Sequence, residues 1–284
     1  MKTPVIPLPI VLPAPADAQV DVGAGTKVGV RIYGKKRTGG NAPLVIHFHG
    51  GAFITGSLET GEPMASLLAE AGSVVVSVDY PLAPAHPFPQ AVEAGYSVLE
   101  WAWKNRVKLA GPAPRVFLAG EEAGGNLAAA VTLVARDRAH PPLAGQILVT
   151  PMLDPCVAMP SVREAIGAVT ECIWTEGWQK YLRSPMDAEH PYAVPGQAQR
   201  LAGLPPTLVM AGADDPMRDD AQRYAARLEA GGIPVTFQLL GMETGWPASL
   251  TDEDATAECS CSASVRQHLA LFLNPATPPP AASC

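Results

Sequence analysis

Charge and aromatic rings are both scarce in this chain of 284 residues: 17% are charged and 6% aromatic. Basic residues are outnumbered by acidic ones, 20 to 27, and the formal net charge of −7 disfavours a polyanionic partner such as nucleic acid. Long apolar runs are also missing. None approaches the roughly 20 residues that span a bilayer, so a soluble, cytoplasmic protein without a membrane partner is expected. The five cysteines, at 156, 172, 259, 261 and 284, form no C-x-x-C pair. Cys259 and Cys261 are too close for ordinary zinc ligation, and an odd count argues against a complete disulfide framework. Reduced thiols are expected, with no metal and no cofactor.

Proline is not scarce. The opening stretch MKTPVIPLPIVLPAPADA has the lysine and apolar run of a signal peptide, but prolines at 4, 7, 9, 13 and 15 break the helix that such a signal needs. Residues 1–19 are therefore read as an extended arm.

Apolar bulk is abundant, at 48% of residues, and supports a large core. At this length one domain with an inserted cap is the default. Continuous apolar runs predict strands over 43–48, 73–80, 115–120, 146–150, 207–212 and 235–240. Segments with apolar residues at i, i+3, i+4 spacing predict helices over 58–72, 89–105, 123–139 and 219–232. This alternation indicates an α/β fold: a mostly parallel central sheet with helices on both faces and its site at the carboxyl ends of the strands.

The rhythm fails over 152–203, which holds Trp174, Trp178, Tyr181 and Tyr192. An inserted helical cap fits, with its aromatics lining a pocket. The core is then 20–151 and 204–275, and 276–284 is a frayed tail.

Two motifs sit where a site is expected. HFHGGAF (47–53) follows the first strong strand, and its adjacent glycines let backbone N–H groups approach a ligand closely. LAGEEAGGNLAA (118–129) reads as a strand end, a tight turn at Glu122 and the start of a helix whose dipole favours negative charge. With VDYPLAPAHPFPQAVEAGYSVLEW, LVTPMLDP and AGADDPMRD, these segments resemble, in order and spacing, the hormone-sensitive-lipase-like bacterial esterases. The resemblance covers about residues 20–275.

The resemblance implies the α/β-hydrolase fold and a triad of serine, aspartate and histidine. It assigns Gly50, Gly51 and Ala123 to the oxyanion hole, with Ala52 where many members have a third glycine. It makes Asp215 the triad acid, with Asp214 as an adjacent competitor. The serine position carries Glu122. The histidine position, within GMETGW, carries Thr244, followed by Gly245 and Trp246. His49 belongs to the oxyanion loop.

Serine attack needs a hydroxyl and a base, so the sequence points away from hydrolysis. A carboxyl group in a dry pocket beside Asp215 would hold its proton towards neutral pH and share it. The expectation is acid/base catalysis of elimination, isomerisation or cyclisation on a hydrophobic small molecule, by Glu122 with Asp215 and Thr244. His49, Ala52, Phe53, Glu121, Trp174, Trp178, Tyr181 and Trp246 would line the pocket. Two readings compete with it: an inactive small-molecule-binding pseudo-esterase and a residual carboxylesterase. A homodimer is left open.

Overall fold

The computed structural model describes residues 12–23, 25–36, 40–155, 160–161, 164, 172–241 and 260–275. Its strands are β1 (Ala16–Gly23), β2 (Thr26–Tyr33), β3 (Leu44–Phe48), β4 (Val74–Val78), β5 (Val116–Glu121), β6 (Gly145–Val149), β7 (Thr207–Gly212) and β8 (Val235–Leu240). They form one sheet in the order β1-β2-β4-β3-β5-β6-β7-β8. β1 pairs antiparallel with β2, and β2 with β4; every pairing from β4 through β3 to β8 is parallel.

Every residue of β3 to β7 is buried, because helices cover both faces. One face carries α2 (Gln90–Ala110), α3 (Ala123–Asp137) and α5 (Arg218–Ala230), packed on Ile46, Val76, Leu118 and Leu148. The other carries α1 (Glu62–Glu70) and α6 (Ser260–Leu273), packed on Val45, Val75, Phe117 and Ile147. α3 is buried along most of its length, and its small residues, Gly124, Gly125 and Ala128 to Ala130, let it lie close to the sheet. This is the α/β-hydrolase fold.

The six expected strands are β3 to β8. β1 and β2 were not among them: β1 is buried only at Val20 and β2 only at Val28, Val30 and Tyr33, and polar residues interrupt any apolar run. β1 begins at Ala16, so the sheet starts inside the stretch assigned to the arm. Antiparallel pairing with β2 ties those residues to the sheet edge, where they stay exposed or half-buried. Within 152–203 the described residues include the α-helix α4 (Ile173–Tyr181), further helical positions at 160, 161 and 164, and no strand. The tail at 276–284 lies outside the described residues. No helix among the described residues is long and apolar enough to cross a membrane.

Candidate active site

β5 passes into α3 through one residue, Glu122, whose φ of 53° and ψ of −118° lie outside the helical and extended regions. A non-glycine residue held there costs about 1–3 kcal/mol, and such positions cluster at functional sites. The abrupt start of α3 depends on Gly124, where a Cβ would lie 2.0 Å from the Phe48 carbonyl oxygen. The Glu122 N–H donates to the Val149 carbonyl at 3.0 Å, and its own carbonyl accepts from the N–H groups of Asn126 (3.2 Å) and Met152 (3.0 Å).

The Glu122 side chain turns back under α4. Oε2 accepts from the Gly51 N–H at 2.8 Å, and Oε1 accepts from the Trp174 indole N–H at 2.5 Å. Trp174 reaches this point because α4 rests directly on the loop after β3. A Cβ on Gly177 would lie 2.1 Å from the Ala52 carbonyl oxygen, and Phe53 stacks on Tyr181 with centroids 4.0 Å apart. Trp174 lies about one turn before Gly177 and so overhangs the elbow. Phe53, Trp178 and Tyr181 are buried against one another, whereas Trp174 meets the Glu122 carboxylate.

Glu121 faces the opposite way. It is 8% exposed, its Oε2 accepts from His47 Nε2–H at 2.7 Å, and its Oε1 accepts from the Gly50 N–H at 3.2 Å. His47 Nδ1 lies 3.0 Å from Ser77 Oγ. His47 and Ser77 are register partners on β3 and β4, and the two-residue period places Glu121 on their face, under α1 and α6. The expectation that Glu121 lines the substrate pocket is corrected: the pleat of β5 turns it into a buried network. His47 and Ser77 were not singled out from sequence, although their two-residue phase was readable.

The same two carboxylates engage the loop after β3. Glu121 takes the Gly50 N–H and Glu122 takes the Gly51 N–H. Ala123 opens α3 and contributes one of the first-turn N–H groups that have no partner inside the helix. His49 shapes the loop from beneath. Its ring is fully buried and stacks on Tyr80 at 4.3 Å, its Nδ1–H donates to the Gly50 carbonyl, and Tyr80 donates to its own carbonyl. Burial lowers the His49 pKa, which favours the neutral ring. Ala52 and Phe53, also expected at the pocket, complete the loop with φ of 50° and 67°.

Asp215 follows β7 and is 1% exposed, whereas Asp214 is exposed. One oxygen, Oδ1, accepts from the Met217 N–H at 2.6 Å, and Oδ2 has no hydrogen-bond partner among the described residues. Burial, with a contribution from the Glu122 charge, pushes its pKa up to about 7. Thr244 and Trp246 lie outside the described residues. Among those described, no group of three or more His, Cys, Asp or Glu could hold a metal ion.

A parallel sheet, a strained strand-to-helix elbow and N–H groups converging on its tip define an α/β hydrolase. The chain belongs to the alpha/beta hydrolase fold family, whose model matches residues 45–244. Esterase LipI of Mycobacterium tuberculosis is 35% identical over 225 residues, covering 77% of this chain and 70% of that protein. An arylesterase of Saccharolobus solfataricus is 36% identical over 218 residues, covering 75% of this chain and 70% of its own. Among solved structures, a hyperthermophilic esterase from the archaeon Pyrobaculum calidifontis superposes with a TM-score of 0.79 at 32% identity. That match covers 92% of this chain and 85% of the esterase.

These relatives overturn the expectation of elimination, isomerisation or cyclisation. Proteins about 35% identical to this one are named esterases and carboxylesterases, which supports ester hydrolysis. The expectation rested on Glu122 and Thr244 standing at the positions to which the resemblance assigns the serine and the histidine, whereas the family and its named relatives point to hydrolysis.

Proposed function

We propose that this chain is a residual carboxylesterase, with Glu122 where related esterases carry the nucleophilic serine and Thr244 where they carry the histidine. The observation that carries this reading is the Glu122 carboxylate on the elbow tip, 2.8 Å from the Gly51 N–H, whose charge reaches the Asp215 carboxyl that burial pushes up to about 7. Such a pair can divide acid and base roles near neutral pH.

Ionised Glu122 turns out of the loop and takes a proton from a water molecule, whose oxygen attacks the ester carbonyl carbon. The Gly51 and Ala123 N–H groups then receive the developing oxyanion. As the carbon–oxygen bond to the alcohol breaks, protonated Asp215 gives its proton to the departing oxygen. Glu122 afterwards returns its proton to Asp215, and both groups regain their starting forms. No acyl-enzyme forms. Without a serine–imidazole pair, the rate falls several orders of magnitude below that of a complete triad.

The test is hydrolysis of p-nitrophenyl acetate and butyrate by the wild type and Glu122→Gln. Turnover above buffer that collapses in the variant supports the reading; turnover untouched by the change overturns it. A second reading, a ligand-binding pseudo-esterase, is favoured by one observation: Glu122 fills the donor that an ester oxygen needs. Saturable ligand binding without ester turnover selects it.

A further inference from the structure

The two oxygens of Glu122 are each met by one N–H, and the two donors come from different elements: the Gly51 backbone after β3 and the Trp174 indole on α4. We propose that these donors form a carboxylate-binding cradle, in which Glu122 is a tethered occupant and a short monocarboxylate is the free one. The inference rests on the hydrolytic reading only in naming the acid half of a cleaved ester as the natural occupant.

The cradle is set by the protein rather than by Glu122. Gly51 is held by a turn in which Ile54 and Thr55 donate to its carbonyl at 3.0 and 2.9 Å. Trp174 is placed by the seating of Gly177 on Ala52 and of Tyr181 on Phe53. The first turn of α3 adds the positive end of a helix dipole. Removing the side chain beyond Cβ deletes one CH2 and one carboxylate, which acetate replaces atom for atom. In the wild type the free acid competes with a carboxylate that is already tethered at the site, so it binds weakly.

The test follows the Trp174 indole resonance in 15N-labelled protein, assigned by its loss in Trp174→Phe. In Glu122→Ala the indole proton should move upfield, and acetate should return it downfield in a saturable way that chloride does not reproduce. Trp174→Phe in the Glu122→Ala background, with acetate titrated against the Gly51 amide resonance in both proteins, should weaken acetate binding about tenfold, the scale of one charge-assisted hydrogen bond. Absence of an acetate-dependent shift, or equal acetate affinity in Glu122→Ala with and without Trp174→Phe, overturns the cradle. Glu122→Gln supplies a second measurement that keeps the volume of the side chain: its indole proton should also move upfield, and an unchanged position counts against the proposal.

Hydrolysis of p-nitrophenyl acetate by the wild type separates the two ideas. Acetate saturation of Glu122→Ala without wild-type turnover keeps the cradle and removes the hydrolytic reading. Glu122-dependent turnover without acetate binding does the reverse.

Discussion

Glu121 and Glu122 are neighbours at one strand end, and the loop after β3 gives each of them one N–H, yet their surroundings are opposite. Glu121 lies on the α1 and α6 face, held by His47 and Gly50 in a network continuing to Ser77. Glu122 lies under α4, held by Gly51 and by a tryptophan of that helix. One carboxylate is bound by the frame of the sheet. The other is bound by one loop N–H and one indole N–H that reaches over from α4. The side of the pleat from which each carboxylate leaves therefore decides which face of the sheet it meets.

The contrast breaks most sharply at Glu122. Replacing it with glutamine should lower ester turnover by about 10²–10³-fold, the usual worth of a general base, with little change in melting temperature. Kinetics and a thermal melt on the same sample check both halves. A complementary gain is expected from Glu122→Ser combined with Thr244→His, which supplies a hydroxyl and an imidazole at the positions proposed for the nucleophile and its base. That protein should react with fluorophosphonate probes while the wild type does not, as labelling and mass spectrometry would show.

At Glu121 the order reverses. Glu121→Ala leaves the His47 and Gly50 donors unpaired and should cost about 2–3 kcal/mol of stability. Glu121→Gln should cost less, because His47 can exchange tautomers and accept at Nε2 from the new amide. Denaturant melts of both variants decide this, and an equal loss for the two would disprove the hydrogen-bonding account.

Asp215 adds a smaller, pH-dependent effect. Its carboxyl is raised from 3.8 to about 7 in the folded chain, so folding favours the protonated form. The stabilisation is complete below pH 3.8 and is lost as pH rises through about 7. Asp215→Asn removes that loss and should stabilise the protein at pH 8 by on the order of 2 kcal/mol relative to pH 4. Ester turnover by the wild type should decline through the same upper pH, since the acid must be protonated. A flat profile from pH 6 to 8 would remove Asp215 from that role. The smallest effect is expected at Trp174→Phe: about tenfold or less on turnover, read from kcat against KM.

Much of this was readable in the sequence, and the exceptions have physical causes. β3 to β8 stand out because both of their faces are buried, which leaves continuous apolar runs. β1 and β2 form an edge hairpin buried at few positions, and residues such as Asp17, Gln19, Thr26 and Lys27 hide them. The elbow was legible from the short residues around Glu122, and Asp215 from its place after β7. Which way Glu121 points depends on the phase of β5 relative to its turn, and a one-residue change in phase reverses the answer. Trp174 stood out as a cap aromatic, but its acceptor lies 52 residues away in the chain and became visible only once α4 was seated.

The absent side chain at Gly177 has one more consequence. Since nothing but a hydrogen atom separates α4 from the Ala52 carbonyl, the ceiling height above the elbow is set by a residue that has no chemistry of its own. A single methyl group there would act as a shim, raising the tryptophan from its acceptor while leaving every reactive group in the protein untouched.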